Sequence, residues 1–175
     1  MALRQGTCNY GYSQDLRMDR IVLDTNSLLR TYNKTSPWHE IWTAVLHGEI
    51  ALCVTTEILL EYEEKIGKFV TPEFASKVCK QITSAPLTEF VNVKVRWNMI
   101  ANDPDDNKFV DCAIASGAKC IVTNDKDYKI FRIGKNIWPM VNVKKLEEYY
   151  KDWKTTTLSG TSRRKTARPR PRKKK

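Results

Sequence analysis

Carboxylates that follow apolar runs are the residues of this chain best placed to do chemistry. Ile21-Val22-Leu23 stops on Asp24, and Cys120-Ile121-Val122-Thr123 stops on Asn124-Asp125-Lys126-Asp127. Between them Asp103-Pro104-Asp105-Asp106 opens a helix. In open α/β sheets ligands bind in the crevice outside the carboxyl ends of the strands, so an acid at such an end has a functional reading. Helix capping explains any one of these acids, since Asp is a preferred cap. Its repetition at three places points instead to a shared pocket. Carboxylates that converge repel one another unless a cation joins them. Hard divalent ions such as Mg²⁺ take oxygen ligands and keep several waters, so one or two carboxylates per ion are enough.

Asp24 and Asp125, each directly after an apolar strand, are the firmest members. In the third cluster Asp103 is assigned to capping, Asp105 to solvent and Asp106 to the strand ends. Asp111 lies about 140° around the helix from Asp106 and approaches, if at all, from deeper in the pocket. Asp127 is either a second ligand beside Asp125 or an exposed turn residue. After Thr55, Glu57, Glu61, Glu63 and Glu64 are all candidates. The helix dipole accounts for Glu57, and i,i+4 pairing with Lys65 and Lys68 accounts for Glu61 and Glu64, so spacing alone does not select Glu61. Asn26, two residues past Asp24, and Thr123, two before Asp125, are spaced to orient the carboxylates through hydrogen bonds.

The elements that position these acids read as alternating strands and helices. An apolar run to Leu23 is followed by a helix through Leu28 and Leu29. Ser36-Pro37 then opens a helix from Trp38 to His47, closed by Gly48. Ile50 to Val54 is a buried strand, and Thr55 or Thr56 caps a helix whose stripe of Ile58, Leu59, Tyr62 and Ile66 is core. Thr71-Pro72 starts another helix, and Phe90 to Val95 alternates with the period of a strand. The helix after Asp103 ends at Gly117. After the strand at Cys120 come an irregular segment around Tyr128 to Lys135, a short strand near Met140 to Val143, and a last helix from Lys144 to Trp153. This pattern predicts an α/β fold of three layers, α/β/α, with a mostly parallel central sheet and right-handed crossovers. Residues 20–154 form the domain, residues 1–19 an extension, and residues 155–175, too poor in apolar side chains to offset ordering entropy, a disordered basic tail.

Composition narrows the function classes. At 175 residues and 41% hydrophobic content the chain suits one ordinary domain. No apolar run approaches the roughly 20 residues of a membrane span, and the N-terminus lacks a secretion signal, so a cytoplasmic protein without membrane contact is expected. Five cysteines without C-x-x-C spacing and only two histidines argue against disulfides, zinc and histidine ligation. The net charge of +10 is uneven: nine Lys and Arg fall in residues 163–175, leaving 21 bases against 20 acids before them. A basic nucleic-acid interface is therefore expected on the tail, at Arg163, Arg164, Lys165, Arg168, Arg170 and Arg172.

Taken in order, Ile21-Val22-Leu23-Asp24-Thr25-Asn26, Thr55-Thr56-Glu57-Ile58-Leu59-Leu60-Glu61-Tyr62, Asp103-Pro104-Asp105-Asp106-Asn107-Lys108-Phe109-Val110-Asp111-Cys112-Ala113 and Ile121-Val122-Thr123-Asn124-Asp125-Lys126-Asp127 resemble the motifs of PIN-domain nucleases. The likeness is greatest to the VapC-like toxins of bacterial toxin–antitoxin systems and covers about residues 20 to 145. It implies a ribonuclease dependent on Mg²⁺ or Mn²⁺. The family's catalytic acids fall on Asp24, Glu61, Asp106 and Asp125, with the metal on Asp24, Asp106 and Asp125 and supporting places at Asn26 and Thr123. The Asp-Pro-Asp-Asp cluster departs from the smaller toxins, which leaves Asp111 as the alternative third acid, and the basic tail is no part of the pattern. The resemblance further implies an RNA substrate, an antitoxin protein over the pocket and a homodimer. Two rivals stand beside it. One is a catalytically inactive module of the same fold that binds RNA or protein. The other is an aspartyl phosphatase, which usually wants a second Asp where this chain has Asn26.

Overall fold

The computed structural model describes residues 18–133 and 140–164. Five strands form one sheet in the order β3-β2-β1-β4-β5, every neighbouring pair parallel: β1 Asp19–Leu23, β2 Ile50–Val54, β3 Thr88–Phe90, β4 Cys120–Val122 and β5 Val143–Lys144. All five residues of β2 and all three of β4 are buried. Side chains alternate between the faces of a strand, so such burial requires helices over both faces of the sheet. The α/β architecture and parallel sheet read from the sequence are those observed.

Helices fill the connections: α1 Thr25–Tyr32, α2 His39–Leu46, α3 Thr56–Phe69, α4 Pro72–Ser84, a 3₁₀ turn Pro104–Asp106 running into α5 Asn107–Ser116, α6 Lys129–Ile133 and α7 Leu146–Arg164. Local chemistry sets several ends. The Thr55 and Thr71 hydroxyls accept from the amides of Ile58 and Phe74, each at 3.2 Å, and so cap α3 and α4. Gly117 ends α5 with φ at +62°, a left-handed conformation that glycine adopts without the penalty of a Cβ. The core gathers Ile21, Leu23, Leu52 and Ile121 of the sheet with Ile58 and Tyr62 of α3 and Phe109 of α5, all fully buried.

Four expectations are corrected. The strand predicted over residues 90–95 lies earlier, at Thr88–Phe90, and residues 91–100 have no regular structure. Beyond Phe90 the Val91 amide still donates to Val54 O at 2.7 Å, the last tie to β2, and the alternating valines continue past the edge of the sheet. A short helix, α6, replaces part of the irregular segment expected after Tyr128. The last strand is Val143–Lys144 rather than a run from Met140. Helix α7 passes Trp153 and continues to Arg164, through residues expected to be disordered. Three threonines there fit a helix because their hydroxyls donate back to carbonyls one turn earlier: Thr155 to Lys151, Thr156 to Asp152 and Thr157 to Trp153, each at 2.9 Å. Arg163 and Arg164 fall in the final turn of this helix. Lys165, Arg168, Arg170 and Arg172, like residues 1–17, lie outside the described residues.

Candidate metal centre

Strand order reverses between β1 and β4, and both strands end on acids. Ligand crevices form at such reversal points. Asp24 follows β1 and its amide donates to Val122 O of β4 at 3.2 Å, tying the two strand ends together. Asp24 occupies the N-cap position of α1, yet its side chain makes no capping bond; Oδ2 instead accepts from the Thr123 hydroxyl at 3.2 Å. That hydroxyl accepts in turn from the Asp125 amide at 2.9 Å, and Asp125 Oδ1 accepts from the Asp127 amide at 2.9 Å. Thr123 is thus the hinge pin between the two strand-end acids. A cleft of about 350 Å³ opens here, with Asp24, Asn26, Arg30, Asn124 and Asp125 among its walls.

Asp106 enters from the 3₁₀ turn. Proline fixes the first residue of that turn and Asp103 accepts from the Asp105 amide at 3.1 Å, so Asp103 caps, Asp105 is exposed and Asp106 turns inward and is buried. One carboxylate oxygen from each of Asp106, Asp125 and Asp127 falls in a group whose members all lie within 4.8 Å of one another. The acids share one field. Burial foremost, then the charges of Asp103, Asp24 and Asp125, push the Asp106 carboxyl up to about 7. Burial, aided by Glu61 and Asp125 and opposed by the Thr123 hydrogen bond, pushes Asp24 up to about 6. The Tyr128 phenol, which donates to Asp106 O at 3.3 Å, is raised by burial and then by Asp106, Asp24, Glu61 and Asp125 together. The donors are all oxygens, held against mutual repulsion, and this set suits a hard divalent cation.

The sequence profile of the PIN domain family matches residues 20–127, a span that includes every acid of the cleft. The chain belongs to the PIN domain family. Among solved structures this PIN domain is similar to one chain of VapBC2 from Rickettsia felis bound to a DNA fragment from their promoter, with a TM-score of 0.51 and 17% identity over 72% of this chain and 98% of that one. A chain of DNA-bound VapBC from Salmonella typhimurium gives a TM-score of 0.46 and 17% identity over 74% of this chain and 99% of that one. The first likeness shows a shared fold. Curated protein sequences give no significant match.

Other residues singled out in the sequence sort themselves within the PIN domain. Glu61 is buried beside the cleft, where its Oε1 accepts from the Thr25 hydroxyl at 2.6 Å and pairs with Lys65 at 2.7 Å, while Oε2 pairs with Lys108 at 2.6 Å. Burial works against its charge, but the bonds from Lys108, Lys65 and Thr25 outweigh it and hold the carboxyl below its ordinary range. The i,i+4 pairing of Glu61 with Lys65 was legible from spacing; the second lysine, arriving from α5, was not. Asn26 is exposed on the cleft wall rather than bonded to Asp24.

Asp111 stands apart from the cleft. Its Oδ1 accepts from the Trp97 amide at 3.0 Å, its Oδ2 lies 3.9 Å from Arg96, and Arg96 also forks onto Glu57. Its carboxyl is raised by burial first, with the Trp97 bond and Arg96 opposing and Glu57 adding to the rise. Asp111 lines a separate hollow with Glu57 and Arg96, whereas an Asp106 oxygen gathers with those of Asp125 and Asp127, so Asp106 is the member of this third cluster at the strand ends. Thr25, Lys108, Tyr128 and Arg132, which donates to Thr123 O at 2.9 Å, carry no signal in isolation; each matters only through a partner distant in the chain. Of the two histidines, His39 Nδ1 lies 3.0 Å from Thr31 O, and His47 is the C-cap of α2.

Proposed function

We propose that this PIN domain is a metal-dependent ribonuclease, hydrolysing RNA phosphodiester bonds with Mg²⁺ or Mn²⁺ as cofactor. The observation that carries the reading is the convergence of Asp106, Asp125 and Asp127 oxygens within 4.8 Å, beside an Asp24 that shares their field. A divalent ion, if bound there, would supply a water of lowered pKa and positive charge to balance the leaving oxygen. The chain's own residues do the rest. Asp106, Asp125 and Asp24 would hold the ion, with Asp127 able to join them. Thr123 fixes the orientation of the Asp24 carboxylate, and burial with mutual repulsion raises Asp24 and Asp106 above the ordinary carboxylate range, a cost that a bound cation would offset. Asn26 and Arg30, on the open wall of the cleft, offer a hydrogen-bonding side chain and a guanidinium to the RNA backbone. No histidine base is required.

The resemblance to toxins, supported by a fold shared with a chain of a VapBC2 complex, extends the reading to the toxin of a toxin–antitoxin pair. Its partners would be RNA, an antitoxin protein and a second copy of the chain, in a cytoplasmic setting. Among the described residues no helix is long and apolar enough to cross a membrane, and Cys53, Cys79, Cys112 and Cys120 are free thiols.

The deciding experiment is incubation of the purified protein with a mixed RNA pool and Mn²⁺, with product ends mapped. Cleavage is expected for the wild type and should be lost with chelator, with Asp24→Asn and with Asp106→Asn, each variant retaining its circular dichroism spectrum. A folded variant that cleaves at the wild-type rate would overturn the assignment.

A further inference from the structure

We propose that Glu61 serves as a seat for two ammonium groups, and that Lys65 is a built-in cation standing where a second divalent ion would otherwise act, so the centre takes one ion. This rests on the reading of the cleft as a metal site. A carboxylate offers about four lone-pair positions. On Glu61 three are filled, by Thr25 and Lys65 on Oε1 and by Lys108 on Oε2. Both Asp24 and Glu61 lie outside the group of oxygens within 4.8 Å formed by Asp106, Asp125 and Asp127, but the Asp24 carboxylate accepts from the Thr123 hydroxyl and carries no ammonium partner among the described residues, whereas Glu61 carries two. An ion on Glu61 would have to displace the ammonium groups or lie against them, and like charges at such range repel strongly in a partly buried site.

The seat differs from an ordinary helical ion pair. Glu61 is only 5% exposed, and its partners come from two elements: Lys65 from α3, and Lys108, 16% exposed, from α5. An exposed i,i+4 pair such as Glu64 with Lys68 on the same helix holds nothing in place and contributes little. Two ammonium groups on one carboxylate leave a surplus positive charge, and Glu61 ties it to the cleft through Thr25, the residue next to Asp24. Lys65 is drawn toward its charged form by Asp106 and Asp24 as well as Glu61, and it favours the ionised forms of both aspartates in return. A positive charge fixed there serves the purpose of a second metal, which is to draw a phosphodiester and balance its developing charge.

Counting bound Mn²⁺ tests the inference without any need for cleavage. Calorimetric titration of the full chain is expected to give one ion. Lys65→Met, which keeps the apolar stem, should admit a second ion or tighten the first by about tenfold, because the competing charge is gone. Lys65→Arg should keep the count at one. The charge-balanced double variant Glu61→Gln with Lys65→Met should bind the first ion within about threefold of the wild type, whereas Asp106→Asn should lose at least about tenfold, as expected when a metal's own holder is removed. Thermal melts followed by circular dichroism establish that each variant is folded. Two ions on the wild type, a double variant as impaired as Asp106→Asn, or a Lys65→Met titration identical to the wild type would each overturn it. Absence of any Mn²⁺ binding would sink the nuclease reading too. Cleavage with two ions bound would sink this inference alone.

Discussion

At the scale of single residues, the cleft stores unfavourable charge. Asp24 and Asp106, pushed up to about 6 and about 7, bind protons more tightly in the fold than an ordinary aspartate does. Across the interval from about pH 4 to about pH 7 the native state therefore carries more protons than the unfolded chain, and stability falls as the pH rises, by up to about 1.4 kcal/mol per pH unit for each such group. Glu61, held low, acts in the opposite sense but at lower pH, where its bonds to Lys108, Lys65 and Thr25 are lost as it protonates. Melting of chelator-treated protein should accordingly decline between about pH 5 and about pH 7.5. The decline should flatten in the Asp24→Asn, Asp106→Asn double variant, and Mn²⁺ should restore the wild type most at the higher pH. Parallel declines in wild type and variant would refute this account. Asp24, Asp106 and Asp125 were legible in sequence because each obeys a local rule, following a strand or opening a helix, whereas Glu61, in the middle of α3, was not selected by its spacing. Thr25 and Lys108 were not legible, because a hydroxyl or ammonium acquires its role only from the carboxylate it meets, 36 residues away for Thr25.

At the scale of elements, the segment between β3 and α5 explains why the strand expected at 90–95 failed to form. The valine alternation satisfied the period of a strand, but β3 is the outermost strand on its side of the sheet, and the backbone beyond Val91 takes its bonds from side chains. Asn107 clasps Ile100 from both sides, accepting from its amide at 2.9 Å and donating to its carbonyl at 2.8 Å, and Asp111 receives the Trp97 amide. Such anchoring depends on tertiary approach, which no periodicity records. It also gives the polar start of α5 a structural duty: Asp106 can face the cleft because Asn107 pins the opposite flank. Asn107→Leu leaves two buried backbone groups of Ile100 unpaired and should cost on the order of 2–4 kcal/mol. Hydrogen exchange at the Ile100 amide should quicken, while the amides of β1, inside the sheet, keep their protection. An Ile100 amide that exchanges as slowly as in the wild type would show that the clasp is idle.

At the scale of the whole molecule, α7 leads from the candidate metal centre toward the basic end of the sequence. Its first amide, Leu146, donates to Asn124 at the cleft end of the sheet at 3.2 Å. One turn on, burial first and then Asp19, the first residue of β1, raise the Tyr149 phenol. The helix therefore runs back along the strands, and its 19 residues span about 28 Å. Neither the run of α7 beyond Trp153 nor its direction could be read from a segment of Thr, Ser and basic residues. If the basic residues from Arg163 onward bind RNA apart from the cleft, a short oligonucleotide engages the cleft alone and a long RNA engages both. Truncation after Ser162 should leave cleavage of a short oligonucleotide unchanged and weaken binding of long RNA. It should also make that binding less sensitive to salt, the log–log slope shrinking by up to about 0.7 for each phosphate the basic residues had neutralised. Equal losses on short and long RNA would contradict this separation.

The order in which the cleft is assembled has one more consequence. Asp24, Glu61 and Asp106 are synthesised first, but two of the three oxygens that gather for a cation belong to Asp125 and Asp127. Sheet pairing also leaves β1 without its β4 neighbour until that same stretch has been made. A chain that ends ahead of residue 125 therefore lacks two of the three gathered oxygens, and the candidate centre can assemble only once translation has passed Asp127.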